Sequence, residues 1–276
     1  MTVALGVDVG GTKIAAARVD VSRGAVLEAR RRPTAPERGP DAVLADCRAL
    51  VDELGGGPVG LAVCELVGVD GRVRSADTVD WRDTDLTATF DAVESDVRAA
   101  ALAEARFGAG REERDFLYVT VGTGISHCLM VNGRPRLGVR GAAIGTGAPP
   151  VERWSGGLAL ARLSGHASAE DALADPAAAD VVEEGAQRLG LALAALVNAL
   201  DPGAVIVGGG LGLNDSYRER VEVALRSAVY DTEARDLPFL PAGLRADAPV
   251  IGAALVAIQG QTGCGGGADG GDSGGS

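Results

Sequence analysis

The sequence of 276 residues is poor in the residues that build disulfides, metal centres and aromatic binding surfaces. Its four cysteines are scattered and form no Cys-x-x-Cys pair, which indicates a reducing compartment and argues against a thiolate zinc site. Aromatic residues make up only 3% of the chain, so a core has to be built from Ala, Val and Leu. The 46% of hydrophobic residues is enough for such a core, in one large domain or two of ordinary size.

Long apolar runs and extended basic stretches are also missing. No apolar run reaches the roughly 18 residues of a membrane-spanning helix, and the longest candidate, around Leu189–Leu200, is interrupted by Asn198. The N-terminus carries neither the charged nor the apolar segment of a signal peptide. The net charge of −12 and the lack of a basic stripe argue against nucleic acid as a partner. We therefore expect a cytoplasmic protein that acts on neither membranes nor nucleic acids.

Lysine is the scarcest charged residue, because 25 of the 26 basic residues are arginines and Lys13 is the only lysine. It closes the segment Asp8–Lys13, of sequence DVGGTK, which lies between two apolar runs. Paired glycines can adopt positive φ, and the N–H groups of such a turn form a concavity that fits a phosphate. Lys13 adds a compact positive charge, and Asp8 can hold a metal, directly or through water. The alternatives are a plain β-hairpin with a Gly-Gly turn and a structural salt bridge for Lys13.

Hydrophobic spacing predicts one order of elements twice: three strands, a helix, a strand and a helix. The first copy begins at Val3 and the second at Phe116, and each has a Gly/Thr turn after its first strand. Two facing copies bring these turns to a shared cleft, and a third glycine turn follows a late strand at 204–207. The predicted strands are 3–9, 13–20, 25–31, 59–63, 116–121, 125–131, 134–139 and 204–207; the predicted helices are 41–54, 96–107, 158–163, 177–200, 216–229 and 250–258; 66–95 and 140–151 are predicted loops.

The motifs resemble the ROK (repressor, ORF, kinase) family of sugar kinases and related proteins, in register from Val3 to about Ile258. The resemblance implies an α/β, two-lobed actin/hexokinase-like (ribonuclease H-like) fold with duplicated βββαβα units and a central cleft for ATP and Mg²⁺. We expect one lobe at 1–112 plus 246–262, the other at 113–245, and a disordered tail at 263–276. The residues expected at the ATP site are Asp8, which also supports Mg²⁺, with Gly10, Gly11, Thr12, Lys13, Thr120, Gly122, Thr123, Gly124, Gly208, Gly209 and Gly210.

The family resemblance also points to a catalytic base. A family motif usually written Asn-Asp-Ala-Asn falls on Ser95–Arg98, where the aspartate is retained as Asp96 and both asparagines are replaced. A carboxylate at this place accepts the proton of the attacking hydroxyl during phosphoryl transfer. We expect the N-terminus of the following helix to keep Asp96 ionised. The alternative is that Asp96 only caps that helix.

The acceptor side departs from the family pattern. The sugar-binding glutamate of the family falls on Gly145 and its zinc-binding histidine on Ala148, and the Cys-rich zinc loop is missing, so no zinc site is expected. Glu152 is the remaining family contact to the sugar. Arg98 and His127 are further candidates for substrate contact. Their alternatives are a salt bridge on the helix surface for Arg98 and a packed strand residue for His127.

Two functions follow from the resemblance. The first is ATP-dependent phosphorylation of a hydroxyl group, of the primary kind, on a sugar or a sugar-like cyclitol. The second is a catalytically silent ROK-type protein that binds a sugar or regulates. Family repressors carry a helix-turn-helix domain before the first glycine motif, whereas in this sequence that motif begins at Asp8. A DNA-binding repressor is therefore disfavoured. Family habit leads us to expect a homodimer.

Overall fold

The computed structural model describes residues 1–143 and 149–263, which contain two five-stranded sheets and a set of helices packed around them. The first sheet contains β1 (Val3–Val9), β2 (Lys13–Asp20), β3 (Ala25–Pro33), β4 (Val59–Val63) and β5 (Ala92–Ser95). The second contains β6 (Phe116–Val121), β7 (Ile125–Val131), β8 (Arg134–Pro135), β9 (Ala204–Gly208) and β10 (Phe239–Pro241). The helices are α1 (Pro40–Leu54), α2 (Asp96–Phe107), α3 (Pro149–Ser155), α4 (Gly157–Ser164), α5 (Ala169–Ala174), α6 (Ala179–Leu200), α7 (Asp215–Ala228) and α8 (Ala248–Gly263).

The two sheets share one topology. Their strand orders are β3-β2-β1-β4-β5 and, read in the same sense, β8-β7-β6-β9-β10. In each, the first strand forms an antiparallel hairpin with the second and pairs in parallel with a later strand. The predicted duplication is therefore confirmed. Each sheet also gains a short parallel edge strand, β5 or β10, that the sequence analysis did not include.

The helices lie in layers, and the close packing of one helix on the first sheet requires glycine in two strands. Helix α1 covers the outer face of the first sheet, while α8 and then α2 lie between the two sheets, and α6 and α7 cover the outer face of the second. A Cβ on Gly6 would lie 1.8 Å from the carbonyl oxygen of Val250, and one on Gly60 would lie 1.9 Å from that of Ala253. Helix α8 therefore rests directly on the backbone of β1 and β4. This contact positions α2, which packs against α8 in turn.

Some predicted boundaries differ from the structure. The strand expected over 134–139 ends at Pro135, because proline offers no N–H to a ladder and Gly138 turns the chain at a φ of +71°. The loop expected over 140–151 gives way to α3 from Pro149. Residues 144–148, and 264–276 of the expected disordered tail, lie outside the described ranges. Among the described helices, none combines the length and apolarity that a bilayer crossing requires.

The close contact of α8 with β4 gives a test of this packing. Gly60→Ala should lower the free energy of unfolding by about 2 kcal/mol or more, because the new methyl group meets the Ala253 carbonyl. Gly56→Ala is the control, since its Cβ has no heavy atom within 4 Å, and it should change stability by less than about 0.5 kcal/mol. Urea unfolding measures both. Equal effects of the two substitutions would show that the contact does not limit the space at Gly60.

Candidate active site

The carboxyl ends of three parallel strands meet at one edge of the first sheet. Val9 lies beside Val63, and Val63 lies beside Ser95. The acidic side chains at these strand ends are consequently close together. The pKa of Asp8 is raised to about 8, chiefly by burial and next by the charge of Asp96, while the charge of Lys13 acts in the opposite direction.

Asp96 is the second acidic group at this edge and the first residue of α2. Burial raises its pKa to about 6, a hydrogen bond from the Val97 N–H opposes the rise, and the charge of Glu65 adds to it. Burial therefore outweighs the helix N-terminus that was expected to keep Asp96 ionised, although a carboxyl with a pKa of about 6 is still mostly ionised at pH 7. Ser95 occupies the N-cap position, and within the described residues Asp96 accepts only from the adjacent Val97 N–H, at 2.6 Å. With Ser95 as the N-cap, Val97 is the N2 residue, so Asp96 satisfies one free N–H of the helix start from position N1. This bond uses only Oδ1 of the carboxylate.

Glu65, which the sequence analysis missed, organises the loop beside these two carboxyls. It is buried and accepts hydrogen bonds from the Ser75 hydroxyl and from the N–H groups of three successive residues. The sequence does contain a signal for Glu65. It is a carboxylate two residues after a buried strand, at the start of a long polar loop. The three N–H donors are those of Asp77 (2.9 Å), Thr78 (2.6 Å) and Val79 (3.0 Å).

This arrangement brings the loop under the first glycine turn. The Thr78 side chain lies within 4.0 Å of the position of a Cβ on Gly11, and it forms a hydrogen bond with Cys64. Burial raises the pKa of the Cys64 thiol to about 12, with Asp96 the next largest cause, so Cys64 is a neutral thiol in this acidic surrounding.

The first glycine turn joins β1 and β2 in a β-hairpin, which was the alternative to a phosphate-binding turn. The turn is also exposed. Gly10 donates to the carbonyl of Lys13 at 3.0 Å, and the Thr34 hydroxyl donates to the Gly10 carbonyl at 2.6 Å. Gly11, Thr12 and Lys13 are exposed. Within the described part of the chain Lys13 forms no ion pair, so the structural salt bridge suggested for it is not observed. The only positive charge in this turn is thus available to an anion.

The second and third glycine turns lie together at the end of β6. Thr120 of β6 lies beside Gly208 of β9, and the N–H of Gly212 donates to the Val121 carbonyl at 2.9 Å. Gly209 has a φ of +82°, and a Cβ there would lie 2.4 Å from the Val121 carbonyl oxygen. The structure therefore brings together Thr120, Gly122, Thr123, Gly124, Gly208, Gly209 and Gly210, which the sequence analysis assigned to one ligand.

The start of α4 supports the second turn. Gly157 donates to the Gly122 carbonyl at 2.7 Å, and Leu158 donates to that of Thr123 at 3.2 Å. Glu152, on α3, accepts from the N–H of Ile125 at 3.1 Å and packs against Gly124. Glu152 is thus placed against the second glycine turn.

Arg98 was expected either to contact the substrate or to form a salt bridge on the helix surface, and its position in the structure matches neither. Its side chain is only 1% exposed, and it forms a salt bridge with Glu94 at 2.5 Å. The salt bridge was one of the expected alternatives, but its location on the helix surface is wrong. The guanidinium also donates to two carbonyl groups, those of Val67 and Gly141.

His127 lies on the face of the second sheet that is turned away from α2. It is paired with Val119 and shares a face with Ile125, both in the core under α6 and α7, while the next residue, Cys128, packs with α2. The imidazole is 8% exposed, and burial lowers its pKa, so it is neutral at pH 7. This placement favours the packed strand residue over a substrate contact.

A comparison with known proteins fits this arrangement. The model of the ROK family matches residues 4–153 and 151–260. The chain belongs to the ROK family. Among its relatives, a glucokinase of Streptomyces coelicolor is 31% identical over 76% of this chain and 83% of its own length, and an N-acetylmannosamine kinase of Escherichia coli O6:H1 is 30% identical over 92% and 97%.

Solved ROK structures share the fold. A ROK glucokinase from Streptomyces griseus, in complex with glucose and AMPPNP, superposes with a TM-score of 0.80 at 27% identity, covering 93% of this chain and 99% of its own. The ROK hexokinase of Thermus thermophilus gives 0.76 at 29% identity, with coverages of 95% and 100%. The actin/hexokinase-like fold with two α/β halves is therefore confirmed for this chain.

Asp8 is suited to the protein side of a magnesium site in which the ion is bound together with a nucleotide. Oδ1 of Asp8 is buried and has no hydrogen-bond partner in the described structure. Mg²⁺ bound to a nucleotide needs only one or two carboxylates, because phosphates and water complete its coordination. The described residues hold no group of three or more His, Cys, Asp or Glu side chains that could bind a metal by themselves. Gly145 and Ala148, where the family has a sugar and a zinc ligand, lie outside the described residues.

The Asp8 carboxyl, whose Oδ1 is buried without a partner in the described structure, should lower the stability of the protein when no ligand is bound. Its pKa is about 8 in the folded state and 3.8 by reference, so the folded state binds more protons and stability falls as the pH rises through that window. Asp8→Asn should therefore raise the free energy of unfolding by at least ~1 kcal/mol at pH 8. Near pH 4 the gain should almost vanish, because Asp8 is then protonated in the fold.

Urea unfolding in a chelator, without nucleotide, measures this effect. Asp80→Asn is the control, because Asp80 is exposed and Arg82 lowers its pKa to about 2; that variant should gain nothing at pH 8. An Asp8→Asn protein that is no more stable than the parent at pH 8 would contradict the assignment.

Proposed function

We propose that this ROK protein is an ATP-dependent kinase that phosphorylates a hydroxyl group, of the primary kind, on a sugar or sugar-like cyclitol. The observation that carries the proposal is the placement of Asp96 beside Asp8 at the edge of the first sheet, with only Oδ1 of Asp96 bound to the start of α2. The kinase activities of the relatives, on glucose and on N-acetylmannosamine, support the same class of reaction.

The proposed reaction assigns one task to each group. The oxygen of the acceptor hydroxyl attacks the γ-phosphorus of ATP, the bond from that phosphorus to the β-bridging oxygen breaks, and ADP leaves. Asp96 accepts the hydroxyl proton as the new bond forms. Asp8 would hold Mg²⁺ on its protein side, and the ion would supply positive charge that offsets the charge of the phosphates. Thr12 and Lys13 hold phosphate oxygens from the side of the first sheet.

The remaining residues are proposed to hold the nucleotide and the acceptor. Gly122, Thr123 and Gly124 bind phosphate through their backbone, with Thr120 beside them, and Gly208–Gly210 lie against the adenosine. Glu152 orients the sugar, and the reaction uses no zinc. We assign the first lobe to 1–112 plus 246–262 and the second to 113–245, with closure of the cleft on the substrates and a homodimer as the assembly.

The alternative is a catalytically silent ROK protein that binds a sugar. The retention of both Asp96 and the single lysine argues against it, since binding alone requires no base. A coupled assay of ADP release over hexoses, amino sugars and cyclitols separates the two functions. Turnover on at least one of them supports the kinase, whereas measurable binding with no turnover on any supports the silent protein.

Removing the base should abolish turnover and leave nucleotide binding intact. Asp96→Asn should lower kcat by about 10²- to 10⁴-fold, while the Kd of ATP, measured by calorimetry, stays within about twofold. Asp215→Asn is the matched control. Asp215 is also the first residue of its helix, but it is exposed and lies on α7, at the second sheet. Near-normal turnover by Asp96→Asn would refute the role given to Asp96.

The pH dependence follows from the raised pKa of Asp96. A general base works only when ionised. At saturating Mg²⁺ and ATP, where a cation bound at Asp8 would keep that carboxyl ionised, kcat/KM for the acceptor should fall about tenfold for each pH unit below about 6 and stay level above it. Steady-state rates between pH 5 and 8 measure this limb. A profile that is level down to pH 5 would mean that the reacting carboxyl has the ordinary pKa of aspartate.

A further inference from the structure

The guanidinium of Arg98 is buried and almost fully hydrogen-bonded. Its Nε donates to Oε1 of Glu94 at 2.6 Å, and Nη2 contacts the same oxygen at 2.5 Å. Nη2 also donates to the carbonyl of Val67 at 2.7 Å, and Nη1 donates to that of Gly141 at 2.8 Å. Four contacts therefore leave this side chain little to offer a ligand.

The two carbonyl groups belong to loops that follow strands of different sheets. Val67 lies in the turn that follows β4 of the first sheet, where Gly68 donates to Arg72 at 2.8 Å. Gly141 lies in the segment that follows β8 of the second sheet. A single guanidinium thus joins two loops whose contacting residues are 31 and 43 positions from Arg98 along the chain.

The two loops also touch each other directly. Gly141 has a φ of +79°, and a Cβ there would lie 2.6 Å from the carbonyl oxygen of Val67 and 2.9 Å from Cα of Gly68. Glycine is required here for its positive φ and for the close approach of the two backbones. The contact brings the carbonyls within reach of one side chain.

The junction lies next to the reacting groups. Arg98 is two residues from Asp96 on α2, and the Val67 turn follows Glu65, whose charge acts on Asp96. We propose that Arg98 is a positioning residue, whose guanidinium joins the loops at Val67 and Gly141 and so fixes the wall of the acceptor site beside Asp96 without touching the acceptor. The acceptor part of this inference rests on the proposed kinase function; the joining of the loops does not.

Only arginine can make this junction. Its planar group presents donors in three directions at fixed angles, and it remains charged when buried. Glu94 compensates that charge, because an unpaired charge in the interior is strongly unfavourable. A lysine keeps the charge but has one ammonium group, which cannot reach Glu94 and two separate carbonyls at once.

Hydrogen exchange of Arg98→Lys, measured by mass spectrometry on the ligand-free full chain, tests the junction. Amides in 66–75 and in 136–143 should exchange about tenfold faster, because each loop loses a hydrogen bond that held it, while α6 keeps the rates of the parent. An unchanged rate in either loop would overturn the junction, and so would an equal increase throughout the chain.

Glu104→Gln provides the matched control. Glu104 is also buried on α2, and it accepts from the N–H groups of Ala109 (2.7 Å), Gly243 (3.0 Å) and Leu244 (2.7 Å). Its substitution should speed exchange near these three residues and leave 66–75 and 136–143 unchanged. If the control loosens the same two loops as Arg98→Lys, the loops respond to any change in α2 and the proposal is wrong.

Gly141→Ala is a second variant in case Arg98→Lys does not fold. It keeps Arg98 but forces the two backbones apart, so the same two loops should exchange faster. No acceleration in this variant would count against the junction.

Kinetics test the effect on the acceptor. With the acceptor that gives the fastest ADP release in the panel above, Arg98→Lys should raise the KM of the acceptor about tenfold and change that of ATP less than about twofold. Equal changes in both KM values, or a fall in kcat alone, would indicate a general structural effect and overturn the positioning role. If no member of the panel is phosphorylated, the kinase proposal fails, while the exchange result still decides whether Arg98 joins the loops.

Discussion

The central constraint of the structure is that packing holds two half-buried carboxyl groups, Asp8 and Asp96, at one edge of the first sheet. Burial is the main cause of both raised pKa values; the charge of Asp96 adds to the rise at Asp8, and the charge of Glu65 adds to the rise at Asp96. No ion pair within the described residues offsets these effects. The arrangement is imposed by packing. Gly6 and Gly60 let α8 rest on the backbone of the first sheet, and α8 fixes the start of α2 where Asp96 stands. Packing thus maintains an arrangement that lowers stability, which is typical of functional sites.

The duplicated topology serves two different purposes in the two halves. At the first sheet, the ends of the parallel strands present carboxyl groups and a neutral thiol. At the second sheet, the equivalent ends present glycines, whose backbone offers N–H groups and close approach. The residues that follow the strands therefore give the two sheet edges different chemistry, although the sheets share one topology.

Local signals in the sequence were sufficient for most of the fold and for part of the site. The strands 59–63 and 116–121 and the helix 96–107 were predicted to the residue, because glycine or proline stands near their ends. The three glycine turns were found for the same reason. The roles of Glu65 and Arg98 were not, since each is defined by partners 10 to 43 positions away. The side of the sheet that His127 occupies likewise depends on which face α2 covers.

The central claim is that the acceptor hydroxyl meets Asp96. The most direct test is a crystal structure with Mg²⁺, a non-hydrolysable ATP analogue and the acceptor chosen by turnover. We expect one hydroxyl oxygen of the acceptor at about 2.6–3.2 Å from the Asp96 carboxylate and in line with the γ-phosphorus. An acceptor whose reacting hydroxyl is held by another side chain, with Asp96 beyond hydrogen-bonding distance, would contradict the account.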